Sequence, residues 1–325
     1  MSDLNTTDKP SRLRFFPISY FAIVMGLSGF TISWEKSSAA FDIPEVIADT
    51  LLGVTLVLFI VITLLYLNKL IRYRHEVAVE LHNPIKLSFF PTVSISLILL
   101  SIATLQLAPD LSRMMWMSGT ALHLIFTLYV MQVWMHHEHF EIHHMNPAWF
   151  IPIVGNILVP IAGVNFGYLE VSIFFFSIGL LFWVVLLSIF FNRIIFHQPL
   201  PEKLQPTLFI LIAPPAVGFI SYVKLTGDVD LFARVLYYFA LFLTLLLLTQ
   251  LPRFTRLKFF LSWWAYLFPM AAITIATIVM FESSGSAWFR GLAFAFLAIL
   301  TLLVILLAFK TVMAIKRRKI CVEEG

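Results

Sequence analysis

The chain has 325 residues, of which 60% are hydrophobic and only 12% are charged, and its mean hydropathy is +0.92. A water-soluble domain of this length cannot bury so much apolar surface, so a soluble enzyme or binding domain is excluded. Several apolar runs are long enough to cross a bilayer, which indicates a polytopic membrane protein. The single cysteine, Cys321, excludes an intrachain disulfide. The net charge of +4 is attributed to loop topology, and no nucleic-acid partner is expected.

The first residues are polar and lack the charged and apolar regions of a cleaved signal sequence. We therefore predict a cytoplasmic N-terminal segment at 1–14, a transmembrane domain at 15–315 and a cytoplasmic C-terminal tail at 316–325. The fold class is all-α, with ten transmembrane helices. Their expected bounds are 17–34, 46–71, 85–107, 112–136, 149–165, 167–192, 205–225, 229–250, 258–281 and 286–315.

The Lys and Arg residues are distributed unequally between the two sides that these spans define. If the N-terminus is cytoplasmic, 17 of the 22 basic residues lie inside. The five that lie outside are Lys36, Arg113, Lys224, Arg234 and Arg290. Because cytoplasmic loops carry the excess of Lys and Arg, both termini are predicted to be cytoplasmic, as an even number of spans requires.

Proline occurs in every odd-numbered span and in none of the even-numbered ones. This alternation predicts five helical hairpins, each a proline-kinked helix followed by a straight one. A kinked helix needs protein or water around its broken hydrogen bonds, so the odd helices should be innermost and surround a central passage. The alternative is a packed bundle with ordinary proline kinks and no pore. The residues expected to line the passage or kink its helices are Pro17, Pro91, Pro152, Pro160, Pro214, Pro215 and Pro269.

The cores of the odd spans contain no ionisable residue, which argues against proton or sodium coupling. Small polar residues could line a weakly polar route, or could instead form hydrogen bonds between helices. Near the cytoplasmic starts of the odd helices lie Lys86, Arg253, Arg256 and Lys258. Together with the positive ends of the helix dipoles, these four could form a vestibule that concentrates anions. Their alternative role is topological only. The small polar residues are Ser88, Ser94, Ser96, Asn156, Ser221, Ser262, Thr274 and Thr277.

The ninth span contains the run Trp263-Trp264-Ala265-Tyr266-Leu267-Phe268-Pro269-Met270. Pro269 cannot donate a hydrogen bond to the carbonyl of Ala265, so a kink is expected there. A phenyl ring beside a kink on an inner helix could project across a narrow passage, which makes Phe268 the candidate gate. The alternative is a bulky phenylalanine packed between helices.

Five histidines and two acids lie together at His136–His144, between spans four and five. One such cluster resembles a single histidine box of a membrane di-iron enzyme, but such an enzyme needs several boxes. Metal binding by this loop stays open, because imidazole binds zinc, nickel and copper. A solvated, pH-sensitive loop is the preferred interpretation. No metal, cofactor or enzyme activity is therefore predicted.

Three motifs resemble the tellurite-resistance/dicarboxylate transporter family, which includes the slow anion channels of plant guard cells. They are 17–26, 146–155 and 264–269, and the resemblance covers about 15–315. It implies a homotrimer in which each protomer has five hairpins in quasi-five-fold arrangement around its own pore, plugged by the residue that aligns with Phe268. Ala22 stands where the family often has glycine, and its methyl group could narrow the path.

We therefore expect an anion channel, or a channel-like uniporter, for chloride and nitrate in the bacterial inner membrane. A carrier or exporter of dicarboxylate, sulfite or tellurite oxyanions is the alternative. The expected partners are small inorganic anions, the lipid bilayer and two further copies of the chain.

Overall fold

The computed structural model describes residues 11–136, 140–318 and 320–321. In these residues the chain is helical and contains no β-strand. The α-helices are α1 (Phe21–Phe41), α2 (Val46–Arg72), α3 (Arg74–His82), α4 (Thr92–Ala103), α5 (Pro109–His136), α6 (Ile151–Gly163), α7 (Leu169–Phe196), α8 (Ala213–Thr226), α9 (Leu231–Leu248), α10 (Leu251–Phe254), α11 (Leu267–Ser284) and α12 (Ala287–Lys316).

A short 3₁₀ segment precedes each of the five helices that correspond to odd-numbered spans. The prolines lie at these junctions: Pro91 directly precedes α4, Pro152 lies in the first turn of α6, and Pro269 lies in the first turn of α11. The first-turn N–H groups of a helix have no intrahelical acceptor, so proline loses little there. The 3₁₀ segments are Ile18–Tyr20, Leu87–Phe89, Pro147–Phe150, Glu202–Ile212 and Leu261–Tyr266.

This placement differs from the kinks that the sequence predicted. Pro17 lies just before the 3₁₀ turn that leads into α1, and Pro214 and Pro215 lie in the first turn of α8. Of the seven candidate prolines, Pro160 alone lies beyond the first turn of an α-helix. Most of these prolines therefore mark a change from 3₁₀ to α geometry instead of a kink in a continuous α-helix.

Burial separates the helices into two groups. In the most apolar stretch of Glu202–Thr226 and of Leu261–Ser284, 72% and 83% of the residues are buried. The corresponding values for Val46–Arg72 and Ala287–Lys316 are 22% and 28%. We call α1, α4, α6, α8 and α11 the inner helices, and α2, α5, α7, α9 and α12 the outer helices. The helices that follow the 3₁₀ segments, with proline at or near the junction, are thus the ones whose residues are mostly surrounded by protein.

The inner helices contact one another in a closed cycle: α1 packs on α4, α4 on α6, α6 on α8, α8 on α11, and α11 on α1. Each inner helix also packs against the outer helix that follows it in the chain. The outer helices expose many large apolar side chains, such as Leu181, Leu302 and Met114. A surface of this kind suits the hydrocarbon of a bilayer.

Within the described residues, seven helices are long and apolar enough to cross a membrane, and an eighth is added if Arg74–His82 and Leu87–Ala103 are one bent span. The bend between those two segments is 103°. The Pro147–Gly163 segment is apolar but shorter than the others. Helix α1 is not among the seven; it carries Glu35 and Lys36 near its end and several serines. The chain is a multi-pass membrane protein.

Candidate functional site

A small cavity lies between the inner helices. Its volume is about 40 Å³, and all five inner helices contribute to its lining. Every lining residue is apolar, so the cavity offers no side-chain hydrogen bond to a solute. The lining residues are Gly29, Ile32, Leu99, Ile102, Leu158, Ile161, Val217, Ile220, Phe268, Ala272 and Ile275.

Phe268 is the one aromatic residue in this lining, and its side chain is buried. Helix α1 faces it with a glycine: a Cβ atom added to Gly29 would lie 3.4 Å from Cδ2 of Phe268 and 3.0 Å from Cβ of Ala271. Gly26 makes a similar approach to Leu267, whose Cβ would lie 2.7 Å from an added Cβ. The two glycines therefore allow α1 to lie close against the helix that carries Phe268.

The cavity is too small and too apolar to pass a hydrated ion. A buried water needs about 10–15 Å³ of space and two to four polar partners, and this lining supplies none from its side chains. Removing water from an ion without replacing its hydrogen bonds is strongly unfavourable. This cavity therefore supplies neither the space nor the polar partners that a hydrated ion needs.

Several residues that the sequence analysis singled out lie elsewhere. Ala22 is buried but does not line the cavity, where Gly29 takes the place beside Phe268. None of the candidate prolines lines it either. Small polar residues bond mainly to backbone carbonyls, as Ser96 does to that of Thr92 (2.7 Å) and Thr274 to that of Met270 (2.7 Å). None of the eight small polar candidates lines this cavity.

A second, much larger cavity of about 850 Å³ opens at one end of the bundle. We call it the basic cavity, because basic residues from most of the segments at this end line it, with Glu76 and Glu80 as its acids. The N-terminal segment and the end of α12 both contribute, so the two ends of the described chain lie on the same side. Its basic residues are Arg14, Lys69, Lys86, Lys203, Lys258, Lys310 and Arg317.

Two of the four predicted vestibule residues, Lys86 and Lys258, lie in this lining. Arg253, in α10, and Arg256, in the turn after it, are exposed and outside the lining. The other five basic residues of the lining were not predicted as site residues: Arg14, Lys69, Lys203, Lys310 and Arg317. Their only sequence signal was the basic bias of this side, which does not show which helix ends converge.

A buried ion pair lies at the wall of the basic cavity. Lys69 Nζ lies 2.8 Å from Glu80 Oε2 and donates a hydrogen bond to the carbonyl of Phe16 (2.8 Å). Their side chains are 2% and 6% exposed. Tyr66 and the backbone N–H of Ile18 also donate to the Glu80 carboxylate (3.0 and 3.3 Å). These bonds hold the chain segment that precedes α1 against α2 and α3.

A polar cluster that the sequence did not reveal lies between α4, α5 and α6. His123, from α5, is fully buried; its Nε2 lies 3.0 Å from the carbonyl of Pro152 and its Nδ1 lies 2.9 Å from Oγ of Ser94. Since a carbonyl can only accept, Nε2 donates to it. The hydroxyl of Ser94, which lies beside Nδ1, also donates to the carbonyl of Pro91 (2.8 Å). An added Cβ at Gly155 would overlap the imidazole ring.

The histidine-rich segment lies only partly within the described residues, because His137, Glu138 and His139 fall outside them. In the described part, His143 Nδ1 lies 3.0 Å from Glu141 Oε2, and Arg193 donates to the carbonyl of Ile142 (3.2 Å). The described residues contain no group of three or more His, Cys, Asp or Glu side chains placed to hold a metal ion.

The structure thus combines a multi-pass helical membrane fold, a small apolar cavity between the inner helices and a larger basic cavity at one end of the bundle. The family model described as SLAC1, voltage-dependent anion channel, matches residues 15–312. The chain therefore belongs to the SLAC1 family, which is the family that the three motifs indicated.

Individual relatives agree with this assignment. The chain is 30% identical to the S-type anion channel SLAH3 of Arabidopsis thaliana over 93% of its length, and 32% identical to SLAH2 of the same plant over 83%. It spans about half of these two plant channels, 49% and 53% of their length. It is 25% identical to the tellurite resistance protein TehA homolog of Haemophilus influenzae, with 85% of this chain and 82% of that protein covered.

Proposed function

We propose that this protein is an anion channel, or a channel-like uniporter, that conducts small monovalent anions such as chloride and nitrate. The passage runs between the inner helices, and the ring of Phe268 closes it. The observation that carries this proposal is the apolar cavity, to which all five inner helices contribute and into which Phe268 is packed. The protein is a transport protein in this proposal and has no enzyme activity.

The helix contacts support a quasi-five-fold arrangement with ten membrane crossings. Each of the five inner helices, with its 3₁₀ segment, is one crossing, and the outer helix that follows it is the next. Helix α1 and the Pro147–Gly163 segment count as crossings here because each contacts two other inner helices in the cycle. Membrane-embedded helices that are surrounded by protein can be shorter and more polar than those that face lipid.

The chemistry of the passage favours small anions that lose water easily. Its lining has no arginine pair that could hold two carboxylates, which disfavours dicarboxylates. The basic cavity at one end raises the local concentration of anions without binding them inside the passage. The anion-channel names of the two plant relatives point in the same direction.

Truncation of Phe268 tests the gate. Phe268→Ala removes the ring from the apolar cavity, so the anion current per folded protein should rise about tenfold or more, since each decade requires only about 1.4 kcal/mol of barrier. Phe268→Leu should raise the current less. The measurement is bilayer or oocyte recording in chloride, nitrate and malate. A chelator should leave the current unchanged, because no step in this proposal uses a metal.

Phe219 supplies the matched control. It is fully buried in α8 and packs against Tyr237 at a ring-centroid distance of 5.6 Å, but it does not line the cavity. Phe219→Ala should lower stability by about 3–5 kcal/mol without raising the current per folded protein. If well-folded Phe268→Ala conducted no better than the wild type, Phe268 would be a packing residue and not a gate.

A carrier or exporter of dicarboxylate, sulfite or tellurite oxyanions is the second candidate, and the name of the Haemophilus influenzae relative favours it. Saturable flux with counter-transport identifies a carrier. Electrogenic flux that keeps rising with anion concentration identifies a channel.

The protein works, in this proposal, in the inner membrane of a bacterium with both termini in the cytoplasm. It assembles as a homotrimer in which each protomer has its own passage. The exposed apolar faces of the outer helices leave room for contacts both with lipid and with neighbouring protomers. Native mass spectrometry of the detergent-purified protein tests the trimer.

A further inference from the structure

The basic cavity differs from the apolar cavity in size, in charge and in the residues that line it. Its volume of about 850 Å³ falls in the range of about 300–1,000 Å³ that is typical of small-molecule sites. A chloride or nitrate ion would fill only a small fraction of that space. The cavity is therefore large enough to hold a solute much bigger than the proposed conducted ion.

The charges in this cavity are only partly compensated. Glu76 is paired with Arg14 (2.6 Å), and Glu80 is paired with Lys69 (2.8 Å). By contrast, Lys258, Lys310 and Arg317 form no ion pair with a carboxylate in the part of the chain that the structure describes. The cavity therefore brings together cations from α12 and from the turn before α11, and both of its acids are already occupied.

Aromatic side chains are part of the same wall. Phe259 and Phe260 follow Lys258 directly, and Phe15 lies on the N-terminal segment; all three line the cavity and are half-buried. Lys310 Nζ lies 5.5 Å from the ring centroid of Trp263, whose indole also packs on Phe259 at 5.8 Å. The wall thus offers both ammonium groups and aromatic faces.

We propose that the basic cavity binds a soluble polyphosphate anion of the nucleoside triphosphate class. Several phosphates on one molecule meet several cations at an effective concentration that separate monovalent anions cannot match. Lysine ammonium groups bind phosphate as point charges, and arginine binds it through a planar fork. The aromatic faces provide a surface on which a nucleobase stacks.

Bound there, the polyphosphate would lie across the entrance of the passage. Leu261 lines the basic cavity and begins the 3₁₀ segment that leads to Phe268. At a rise of about 2 Å per residue in a 3₁₀ helix, Phe268 lies roughly 12–14 Å further along the axis. The ligand therefore blocks anions before they reach Phe268 and does not touch its ring. This blocking role rests on the proposed channel function, whereas the binding itself does not.

Binding is measured on the detergent-purified full chain, with radiolabelled ATP and with competition by tripolyphosphate and orthophosphate, all without magnesium. ATP should bind saturably, tripolyphosphate should compete, and orthophosphate should compete about 100-fold more weakly. Lys258→Gln/Lys310→Gln should weaken ATP binding by about tenfold or more. Lys316→Gln/Arg318→Gln removes two charges from the same end of α12, outside the cavity lining, and should change it less than about threefold.

Absence of saturable ATP binding at millimolar concentration would overturn the proposal. Equal weakening by both double variants would overturn it as well, because it would show only a general charge effect. Current through Phe268→Ala is recorded separately, with ATP on the side of the basic cavity, where it should block, and on the other side, where it should not. If Phe268→Ala carries no current, the gate fails, and the binding experiment still decides the polyphosphate site.

Discussion

The Cδ2 atom of Phe268 would lie 3.4 Å from a Cβ atom at Gly29, so a side chain added to α1 would point into the space that the phenyl ring occupies. In Phe268→Ala, the additional change Gly29→Val should therefore refill that space. We expect the current of the double variant to be about tenfold lower than that of Phe268→Ala, because the added apolar side chain restores a dewetted constriction. The measurement is current per folded protein for both variants.

Gly53 provides the control for the Gly29 prediction. It lies on the outer helix α2, and an added Cβ would meet no atom within 4 Å. Phe268→Ala/Gly53→Val should conduct as well as Phe268→Ala does. If Gly29→Val left the current of Phe268→Ala intact, the path would not pass between α1 and Phe268.

Gly155 and His123 make a second close approach, which leads to a prediction about stability. A methyl group at Gly155 would overlap the imidazole that joins Ser94 to the carbonyl of Pro152. Gly155→Ala should lower the free energy of unfolding by about 1–3 kcal/mol, the usual effect of overpacking. Thermal unfolding of the purified protein measures the effect. In a His123→Ala background, where the ring is absent, Gly155→Ala should cost much less; an undiminished cost there would show that the overlap is not the cause.

At the residue scale the sequence was informative about Phe268 and uninformative about His123. The aromatic run with Pro269, together with the family motifs, was enough to single out Phe268 as a gate candidate, and the role itself stays a prediction. His123 stands alone in an apolar stretch of α5. Its partners, Ser94 and Pro152, are both 29 residues away, so no local pattern could reveal the cluster.

At the element scale, the prolines identified the helices that are surrounded by protein. They did not reveal the geometry of those helices. Leu261–Tyr266 is 3₁₀ and α11 begins only at Leu267, so Pro269 lies in the first turn of α11, just after the change from 3₁₀ to α geometry. Proline lacks a backbone N–H donor both at the start of a helix and within an interrupted helix, so the sequence alone cannot distinguish these two positions. Helix α3 was also missed, because it is short and mostly polar.

The ion pair between α2 and α3 carries a prediction at this scale. Glu80→Gln leaves the ammonium group of Lys69 buried with a carbonyl partner but no counter-charge. Breaking a buried pair in this way should destabilise the protein by about 3–5 kcal/mol. Thermal unfolding in detergent is the measurement. Lys69→Met/Glu80→Gln should recover part of the loss, because it removes the unpaired charge while the amide oxygen at position 80 still accepts from Tyr66 and Ile18.

The neighbouring pair of Arg14 and Glu76 is the control for the buried pair. Arg14 is 47% exposed and Glu76 is 25% exposed, so water screens their attraction. Glu76→Gln should therefore change stability by less than about 1 kcal/mol. If Glu76→Gln and Glu80→Gln lowered stability equally, burial would not be the reason that the pair of Lys69 and Glu80 stabilises the protein.

At the scale of the whole molecule, the distribution of Lys and Arg predicted that one end of the bundle is strongly basic. Lys86, Lys258, Lys310 and Arg317 do lie together at one cavity there. The sequence could not show that Lys258 lines the cavity and that Arg256, two positions earlier, does not. The turn between α10 and the next 3₁₀ segment decides which of the two side chains faces the cavity. The charge distribution therefore predicts which end of the bundle is cytoplasmic, whereas packing decides which basic residues line the cavity.

The orientation of the whole chain can be tested through its single cysteine. Cys321 lies at the wall of the basic cavity, with Sγ 3.3 Å from the hydroxyl of Tyr20. The positive-inside rule predicts that this end is cytoplasmic. A membrane-impermeant maleimide should therefore modify Cys321 in inside-out vesicles and leave it unmodified in right-side-out vesicles. Lys36→Cys/Cys321→Ser should show the opposite preference, since Lys36 pairs with Glu282 at the far end of α11 (2.8 Å). The contact with Tyr20 is the same in both preparations, so it does not alter the contrast between them. The ten-crossing arrangement has an odd number of crossings between positions 36 and 321, so the two positions should lie on opposite faces. If cysteines at both positions reacted from the same face, that arrangement would be wrong.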